Sequence, residues 1–174
     1  FNLLMGLSSK NNKEVSENMK VGQIAKNPAL GMRGIRYSLY EKNLFKIQIK
    51  AMLRAAKNGK LRILIPMITT LDEINKAKDL IDEAKTELIK EKKSFNPRYE
   101  VGIMIEVPAS AIQSNVLSKN VDFMSIGTND LVQYILAIDR VDDEMTSLYD
   151  PTNPAVLQLI KQVIGTCNRS RIDI

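Results

Sequence analysis

Three short apolar segments, each followed by a stretch with helical periodicity, constrain the fold of this chain more than any other feature. They are residues 61–68, 99–107 and 121–126, and all three are rich in aliphatic side chains. Such segments, when they alternate with amphipathic helices, are typical of a parallel β-sheet covered by helices. The sequence therefore predicts an α/β fold of repeated strand–helix units, with a further strand expected at residues 32–37.

The helices are predicted from the spacing of apolar residues and from signals at the helix ends. Residues 41–58 repeat apolar side chains on one helical face, namely Phe45, Ile49, Met52 and Leu53. Thr70 and Glu73 form a capping-box pattern that begins a long helix. The apolar stripe of that helix is Ile74, Ala77, Ile81, Ala84 and Leu88. Further helices are expected at residues 108–120, 131–138 and 154–166.

Polar side chains follow two of the predicted strands. Glu106 comes at the end of one strand, and Asn129 and Asp130 follow the next. Ligands bind at the carboxyl ends of strands in parallel α/β proteins, and a buried carboxylate is costly unless it is paired or bound to a metal. Asp130 is a hard oxygen ligand suited to Mg²⁺ or Mn²⁺. Thr128, Asn129 and Asp130 are equally suitable as helix N-cap residues, so both interpretations stay open.

Arg33 is a second candidate for ligand binding. It lies between Gly31 and Gly34 in a segment that begins with the turn signal Asn27-Pro28. Its guanidinium group is planar and permanently charged, which suits phosphate or carboxylate, and the glycines allow the backbone to approach a ligand closely. The alternative is a strand loosened by glycine, with solvated arginines.

Composition excludes several classes of function. The 174 residues suffice for one domain and include no histidine, which excludes a histidine-dependent triad, a histidine metal site and a phosphohistidine within this chain. The single cysteine, Cys167, excludes an internal disulfide and fits a reducing cytosol. No apolar run approaches the roughly 20 residues of a membrane span. A cytoplasmic protein with no membrane partner is therefore expected.

The net charge of +5 is unevenly distributed. Residues 1–60 hold 12 Lys/Arg and 3 Asp/Glu, whereas residues 61–174 hold 13 and 17. A basic half can meet nucleic acid or an anionic ligand. Because the chain contains neither a nucleic-acid motif nor arginine clusters interleaved with aromatic residues, an anionic ligand is favoured and no nucleic-acid partner is expected.

Several segments together resemble the PEP-utilising enzymes, and in particular the Enzyme I group of the bacterial sugar phosphotransferase system. The most specific resemblance is in residues 122–134, whose sequence is DFMSIGTNDLVQY. Four further segments support it: NPALGMRGIR at 27–36, GIMIEVPA at 102–109, LAIDR at 136–140 and LYDPTNPAVL at 148–157. The resemblance covers about residues 27–166.

The resemblance implies a fold, an activity and a set of site residues. The PEP-binding domain of this family is a TIM (β/α)₈ barrel that usually dimerises, which implies a homodimer. Glu106 and Asp130 match the Mg²⁺ ligands, while Arg33, Asn129, Asp130 and Arg140 match residues that bind PEP. The implied activity is that of a phosphotransferase, in which PEP phosphorylates a histidine on a separate domain and the group then passes to the carrier HPr.

The chain also departs from the family pattern. Residues 1–26 hold no arginine where the family has arginines on earlier strands, so this segment is left unassigned. Cys167 does not match the proton-donating cysteine of the family, and no catalytic residue is assigned within this chain. Residues 27–174 are expected to form a partial barrel, about strands three to six of the eight in a TIM barrel.

Two alternatives to a partial PEP site stay open. The first is a fragment of the related pyruvate phosphate dikinase or PEP synthase, which the Leu148-Tyr-Asp-Pro segment disfavours. The second is a non-catalytic assembly module retained for dimerisation, because an incomplete barrel would expose sheet edges and apolar surface. The chain alone is expected to be inactive.

Overall fold

Within the residues that the structure describes, the sheet is parallel and has four strands. The computed structural model describes residues 2–4, 27–140 and 142–174. The strands are β1 (Asn2–Leu4), β2 (Leu61–Ile65), β3 (Tyr99–Ile105) and β4 (Phe123–Ile126), and they lie side by side in chain order. Among the described residues the sheet does not close on itself. The predicted α/β architecture of parallel strand–helix units is therefore confirmed.

Seven α-helices accompany the strands in the described ranges. They are α1 (Ile35–Tyr40), α2 (Lys42–Ala55), α3 (Leu71–Lys90), α4 (Pro108–Ile112), α5 (Ser114–Leu117), α6 (Thr128–Leu136) and α7 (Pro154–Ser170). Short 3₁₀ turns follow α2 and α5. None of the helices in the described residues combines the length and the apolar character needed to cross a membrane.

The core is one cluster of buried apolar side chains from the strands and the helices. Ile63, Ile65, Ile103 and Ile105 on the strands are fully buried in this cluster, which includes apolar residues of all seven helices. The predicted apolar stripes of α2 and α3 are confirmed, since all nine of their residues are buried. The capping box is also present, because Glu73 N donates to Thr70 Oγ1 at 3.3 Å and Thr70 N donates to Glu73 Oε2 at 2.9 Å.

The predicted strand at residues 32–37 is wrong. Helix α1 begins at Ile35 instead, after Gly34 turns the chain with a φ of +56°. Ile35 is fully buried and Leu39 packs against the same core, and this spacing of four residues is that of a helix face. The backbone of Ile35 donates to Pro66 O at 3.2 Å, which places the segment that carries Arg33 against the end of β2.

The helices after β3 and β4 differ in detail from the prediction. The expected helix at 108–120 is interrupted at Gln113 and becomes α4, α5 and a 3₁₀ turn. Helix α6 begins three residues earlier than the predicted start, at Thr128, and its N-cap is Gly127 with no side-chain cap. The capping interpretation of the polar residues after β4 is therefore wrong.

Of the unassigned residues 1–26, only Asn2–Leu4 lie within the described part of the chain.

Candidate phosphate and metal site

Two buried carboxylates meet at the carboxyl ends of β3 and β4. Glu106 directly follows β3 and is 5% exposed, and Asp130 lies in the first turn of α6 and is 6% exposed. The two groups are close enough for the charge of Asp130 to raise the pKa of Glu106. The two residues are close to each other because β3 and β4 are adjacent, parallel strands whose carboxyl ends lie side by side. Two acids buried together need compensating positive charge, from side chains or from a cation.

The backbone on either side of Glu106 fixes its carboxylate. Met67 N donates to Glu106 Oε1 at 2.7 Å, and Met67 adopts an uncommon φ of +61° for a residue with a side chain. Gly127 leaves space on the other side, because an added Cβ there would lie 2.8 Å from Glu106 Cβ and 3.0 Å from Glu106 Oε2. Glu106 is thus held in one orientation by the ends of two neighbouring strands.

Burial raises the pKa of Glu106 from its usual 4.5 to about 7. The hydrogen bond from Met67 and the charge of Arg33 act against this rise in pKa, whereas the charge of Asp130 adds to it. A carboxyl group with such a pKa is partly protonated at neutral pH. A bound cation would remove this penalty, because it favours the ionised form.

Two arginines contact the carboxylate of Asp130, one that precedes it in the sequence and one that follows it. Arg33 Nη2 lies 3.0 Å from Asp130 Oδ2, and Arg140 Nη2 lies 3.4 Å from Asp130 Oδ1. Their side chains are 34% and 40% exposed, so each arginine is partly open to solvent. The site therefore has a buried acidic side and a more open basic side, which suits a metal and a phosphate group, respectively.

The end of helix α6 positions Arg140. The helix stops at Ala137, whose left-handed conformation with φ of +55° reverses the chain. The buried Gln133 side chain accepts a weak hydrogen bond from Arg140 N at 3.4 Å, and Ile138 N donates to Gln133 O at 3.0 Å. These contacts turn Arg140 back toward Asp130, which lies in the first turn of the same helix.

Asn129, the remaining site candidate, and Cys167, to which no role was assigned, have different surroundings. Asn129 is adjacent to Asp130 but its side chain is exposed, and its carbonyl oxygen accepts a hydrogen bond from Tyr149 at 3.3 Å. Cys167 is fully buried, with its sulfur 3.6 Å from Met124 Sδ, and burial raises its pKa. A buried thiol with a raised pKa is unreactive, so Cys167 packs in the core.

Two contributors to the site were missed by the sequence analysis. Tyr134 contacts Arg33, and its position four residues after Asp130 on α6 could have revealed it, because residues with this spacing share a helix face. Met67 contributes its backbone amide, which binds Glu106. No signal in the sequence indicates that the backbone of a methionine adopts the left-handed conformation here.

The donor set of the site fits Mg²⁺. Glu106 and Asp130 offer carboxylate oxygens, the hard ligands that Mg²⁺ prefers. Among the described residues no group of three or more acidic, cysteine or histidine side chains could enclose a metal. Mg²⁺ commonly binds to one or two carboxylates and completes its coordination with water and substrate phosphate. A pair of acids beside two arginines is therefore a suitable partial coordination shell.

Residues 7–174 match the model of the PEP-binding domain of PEP-utilising enzymes. The chain belongs to this family. Over 143 residues it is 47% identical to phosphoenolpyruvate-protein phosphotransferases from Latilactobacillus sakei and Staphylococcus aureus, which is 82% of this chain and 25% of each relative. A phosphoenolpyruvate-protein phosphotransferase from Cupriavidus necator is 44% identical over 152 residues, which is 87% of this chain and 26% of the relative.

This member of the PEP-utilising enzymes spans about a quarter of the length of those curated relatives. Among solved structures, it is similar to a citrate lyase from Burkholderia xenovorans LB400, with a TM-score of 0.56 and 19% identity. The match covers 76% of this chain and 40% of the citrate lyase chain. At this low identity the likeness concerns the fold alone.

Proposed function

We propose that this chain is the PEP- and Mg²⁺-binding part of a phosphoenolpyruvate-protein phosphotransferase, and that it is inactive alone. The observation that carries the proposal is the buried pair Glu106 and Asp130, which lies at adjacent strand ends with Arg33 and Arg140 on its open side. In the whole enzyme, the phosphoryl group would pass from PEP to a histidine on another domain and then to HPr, in the cytoplasm, for sugar transport.

The proposed fold is a segment of a TIM barrel. The parallel order of β1–β4 and the position of the site at their carboxyl ends support this, because TIM-barrel sites lie at that end of the strands. The strands β1–β4 would correspond to about strands three to six of eight, and the proposed domain of residues 27–174 holds three of them, β2–β4. The domain boundary at residue 27 stays a prediction. The partner segments or a second copy would complete the sheet.

Each site residue has a role in this proposal. Glu106 and Asp130 would hold Mg²⁺, which when bound adds positive charge beside the phosphate. Arg33 and Arg140 would bind the phosphate oxygens, because a guanidinium group forms charge-assisted hydrogen bonds with phosphate. Asn129, exposed at the start of α6, would add an amide contact. Phosphoryl transfer depends mainly on such positioning and charge neutralisation, so no general acid or base is required at the phosphate.

Calorimetric titration of the chain with PEP, with and without Mg²⁺, tests the proposal. We expect saturable, Mg²⁺-dependent binding that is lost in Arg140→Ala, because one of the two phosphate-binding cations is removed. Asp130→Asn and Glu106→Gln should remove the dependence on Mg²⁺. The control is Arg54→Ala, which deletes an exposed arginine of α2 outside the site. Equal Mg²⁺-dependent binding by wild type and by both acid variants would contradict the assignment.

A second candidate function is a non-catalytic assembly module that forms a homodimer. Large apolar side chains on several helices favour it, because Ile47, Ile89 and Ile112 are each 60% or more exposed. Exposed apolar side chains of this size can be covered by self-association. Light scattering over a range of protein concentrations would decide, and a monomer at every concentration would contradict the module.

A further inference from the structure

The hydroxyl group of Tyr134 joins two parts of the site that are far apart in sequence. Tyr134 lies on α6, one turn after Asp130, and is partly buried. Its oxygen accepts a hydrogen bond from Arg33 Nη1 at 3.4 Å and donates one to Ala29 O at 2.5 Å. A single side chain on α6 therefore contacts both Arg33 and the segment that leads to it.

The single hydroxyl hydrogen of Tyr134 determines to which partner this residue donates and from which partner it accepts. Tyr134 has one hydroxyl hydrogen, and Ala29 O is the nearer acceptor, whereas Met67 Sδ lies 3.9 Å away and is a weak acceptor. With the hydrogen directed at Ala29, the remaining lone pairs of the oxygen face the donors of Arg33. The tyrosine is thus oriented as an acceptor for the guanidinium group.

Arg33 is held to α6 by two contacts of different kinds. Asp130 provides an ionic contact at 3.0 Å, and Tyr134 provides a neutral one. If Asp130 engages a cation, its charge is shared and its hold on Arg33 weakens. The contact with Tyr134 does not compete with the cation, because a neutral phenol is a poor ligand for a hard metal ion.

We propose that Tyr134 is a positioning residue that keeps Arg33 directed at the phosphate while Asp130 binds the metal. This inference rests on the proposed function of the site. The segment before Arg33 is fixed at the same time, because Tyr134 binds Ala29 O while Arg36 Nη1 donates to Leu30 O at 3.0 Å. Tyr134 therefore acts on both the guanidinium group and the backbone that carries it.

Tyr134→Phe is the direct test, since it keeps the ring and removes only the hydroxyl group. We expect it to weaken Mg²⁺-dependent PEP binding about three- to tenfold, the effect of losing one hydrogen bond of ordinary strength. In an Arg33→Lys background the same substitution should have little further effect, because lysine has no Nη1 to bind the phenol. The control is Tyr40→Phe, which removes an exposed hydroxyl outside the site.

A second measurement does not depend on PEP. In ¹⁵N-arginine spectra, rotation of the Arg33 guanidinium group should be restricted in the wild-type chain, faster in Tyr134→Phe and unchanged in Tyr40→Phe. The reciprocal experiment is Arg33→Lys, which should shift the ¹³Cζ signal of Tyr134. This measurement tests the contact between Tyr134 and Arg33 even if Tyr134→Phe does not fold.

The outcomes separate this inference from the proposed function. Unchanged Arg33 rotation in Tyr134→Phe, or an unmoved Tyr134 signal in Arg33→Lys, overturns the positioning role whether or not PEP binds. Failure of the wild-type chain to bind PEP, together with the expected spectra, would count against the proposed function and support the contact. Additive effects of Tyr134→Phe and Arg33→Lys on PEP affinity would also overturn the inference.

Discussion

Opposing influences act on the carboxyl group of Glu106. Burial and the neighbouring Asp130 disfavour its ionised form, whereas the amide of Met67 and the charge of Arg33 favour it. Burial has the largest effect, so the pKa rises to about 7. Because the ionised carboxylate is the form that binds a cation, a cation bound at Glu106 would displace the proton that the fold favours.

The raised pKa of Glu106 makes stability depend on pH. Between 4.5 and about 7 the folded chain binds more protons at Glu106 than the unfolded chain. The free energy of unfolding of the metal-free chain should therefore fall as pH rises through this window, by up to about 1.4 kcal/mol per pH unit. Urea unfolding at several pH values measures this slope.

Glu106→Gln should remove this slope, because glutamine does not titrate. Glu144→Gln, which changes an exposed acid outside the site, should leave it intact. The carboxyl groups of Glu87 and Glu91, whose pKa values are lowered by neighbouring lysines, titrate below the window and do not account for it. A slope that persists in Glu106→Gln would contradict the assignment.

At the level of elements, the junction before α1 determines where Arg33 lies. Gly34 combines a φ of +56° with close approach to Met67, whose Cβ and Cγ would both lie 2.7 Å from an added Cβ. Gly34→Ala should destabilise the chain by about 1–3 kcal/mol, because it adds backbone strain and a clash with a buried side chain. Thermal or urea unfolding measures the change.

Gly59→Ala is the matched control for Gly34→Ala. Gly59 follows α2 with an extended φ of 168°, and nothing lies within 4 Å of an added Cβ. Its substitution should change the free energy of unfolding by less than about 0.5 kcal/mol. Equal effects at the two glycines would show that the close approach of Met67 to Gly34 is not a constraint.

Elements with a long apolar repeat could be predicted from sequence, and short ones could not. Helices α2 and α3 carry regular stripes and a capping box, which are local signals, and both were predicted correctly. The strand expected at residues 32–37 failed because α1 has only six residues and its helical form depends on tertiary contacts of Ile35 with Pro66 and the core. Local sequence does not contain those contacts.

The candidate site was partly predictable for a similar reason. Glu106, Asp130, Arg33 and Arg140 were selected by their residue types and by resemblance, and the structure brings all four together. The role of Met67 could not be found in this way. Its amide binds Glu106 only once the ends of two strands that are distant in sequence have packed together.

At the scale of the whole molecule, Arg62 connects three strands and the chain end. Its guanidinium carbon lies 4.0 Å from the centre of the Phe123 ring, its Nε is 2.7 Å from Glu100 Oε2, and its Nη2 is 2.9 Å from Asp173 Oδ2. These partners lie on β3, on β4 and beyond α7. One side chain thus spans the sheet at the end opposite the candidate site.

Arg62→Ala should lower the free energy of unfolding by about 1–2 kcal/mol, mainly by removing the packing and cation–π contact with Phe123. Glu100→Gln and Asp173→Asn should each cost less than about 0.5 kcal/mol, because exposed ion pairs contribute little. Urea unfolding at low and high salt separates the two effects. A strong loss of the Arg62 contribution at high salt would contradict the dominance of packing.

The short segment Pro66-Met67 touches both sides of the candidate site. Met67 N holds Glu106, which would meet a cation, and Pro66 O with the Met67 side chain fixes Gly34 and Ile35 beside the arginine that would meet an anion. One dipeptide therefore provides a structural route by which occupancy of either ligand position can influence the other. Thermodynamic linkage then demands reciprocity: the factor by which the cation changes affinity for the anion equals the factor by which the anion changes affinity for the cation.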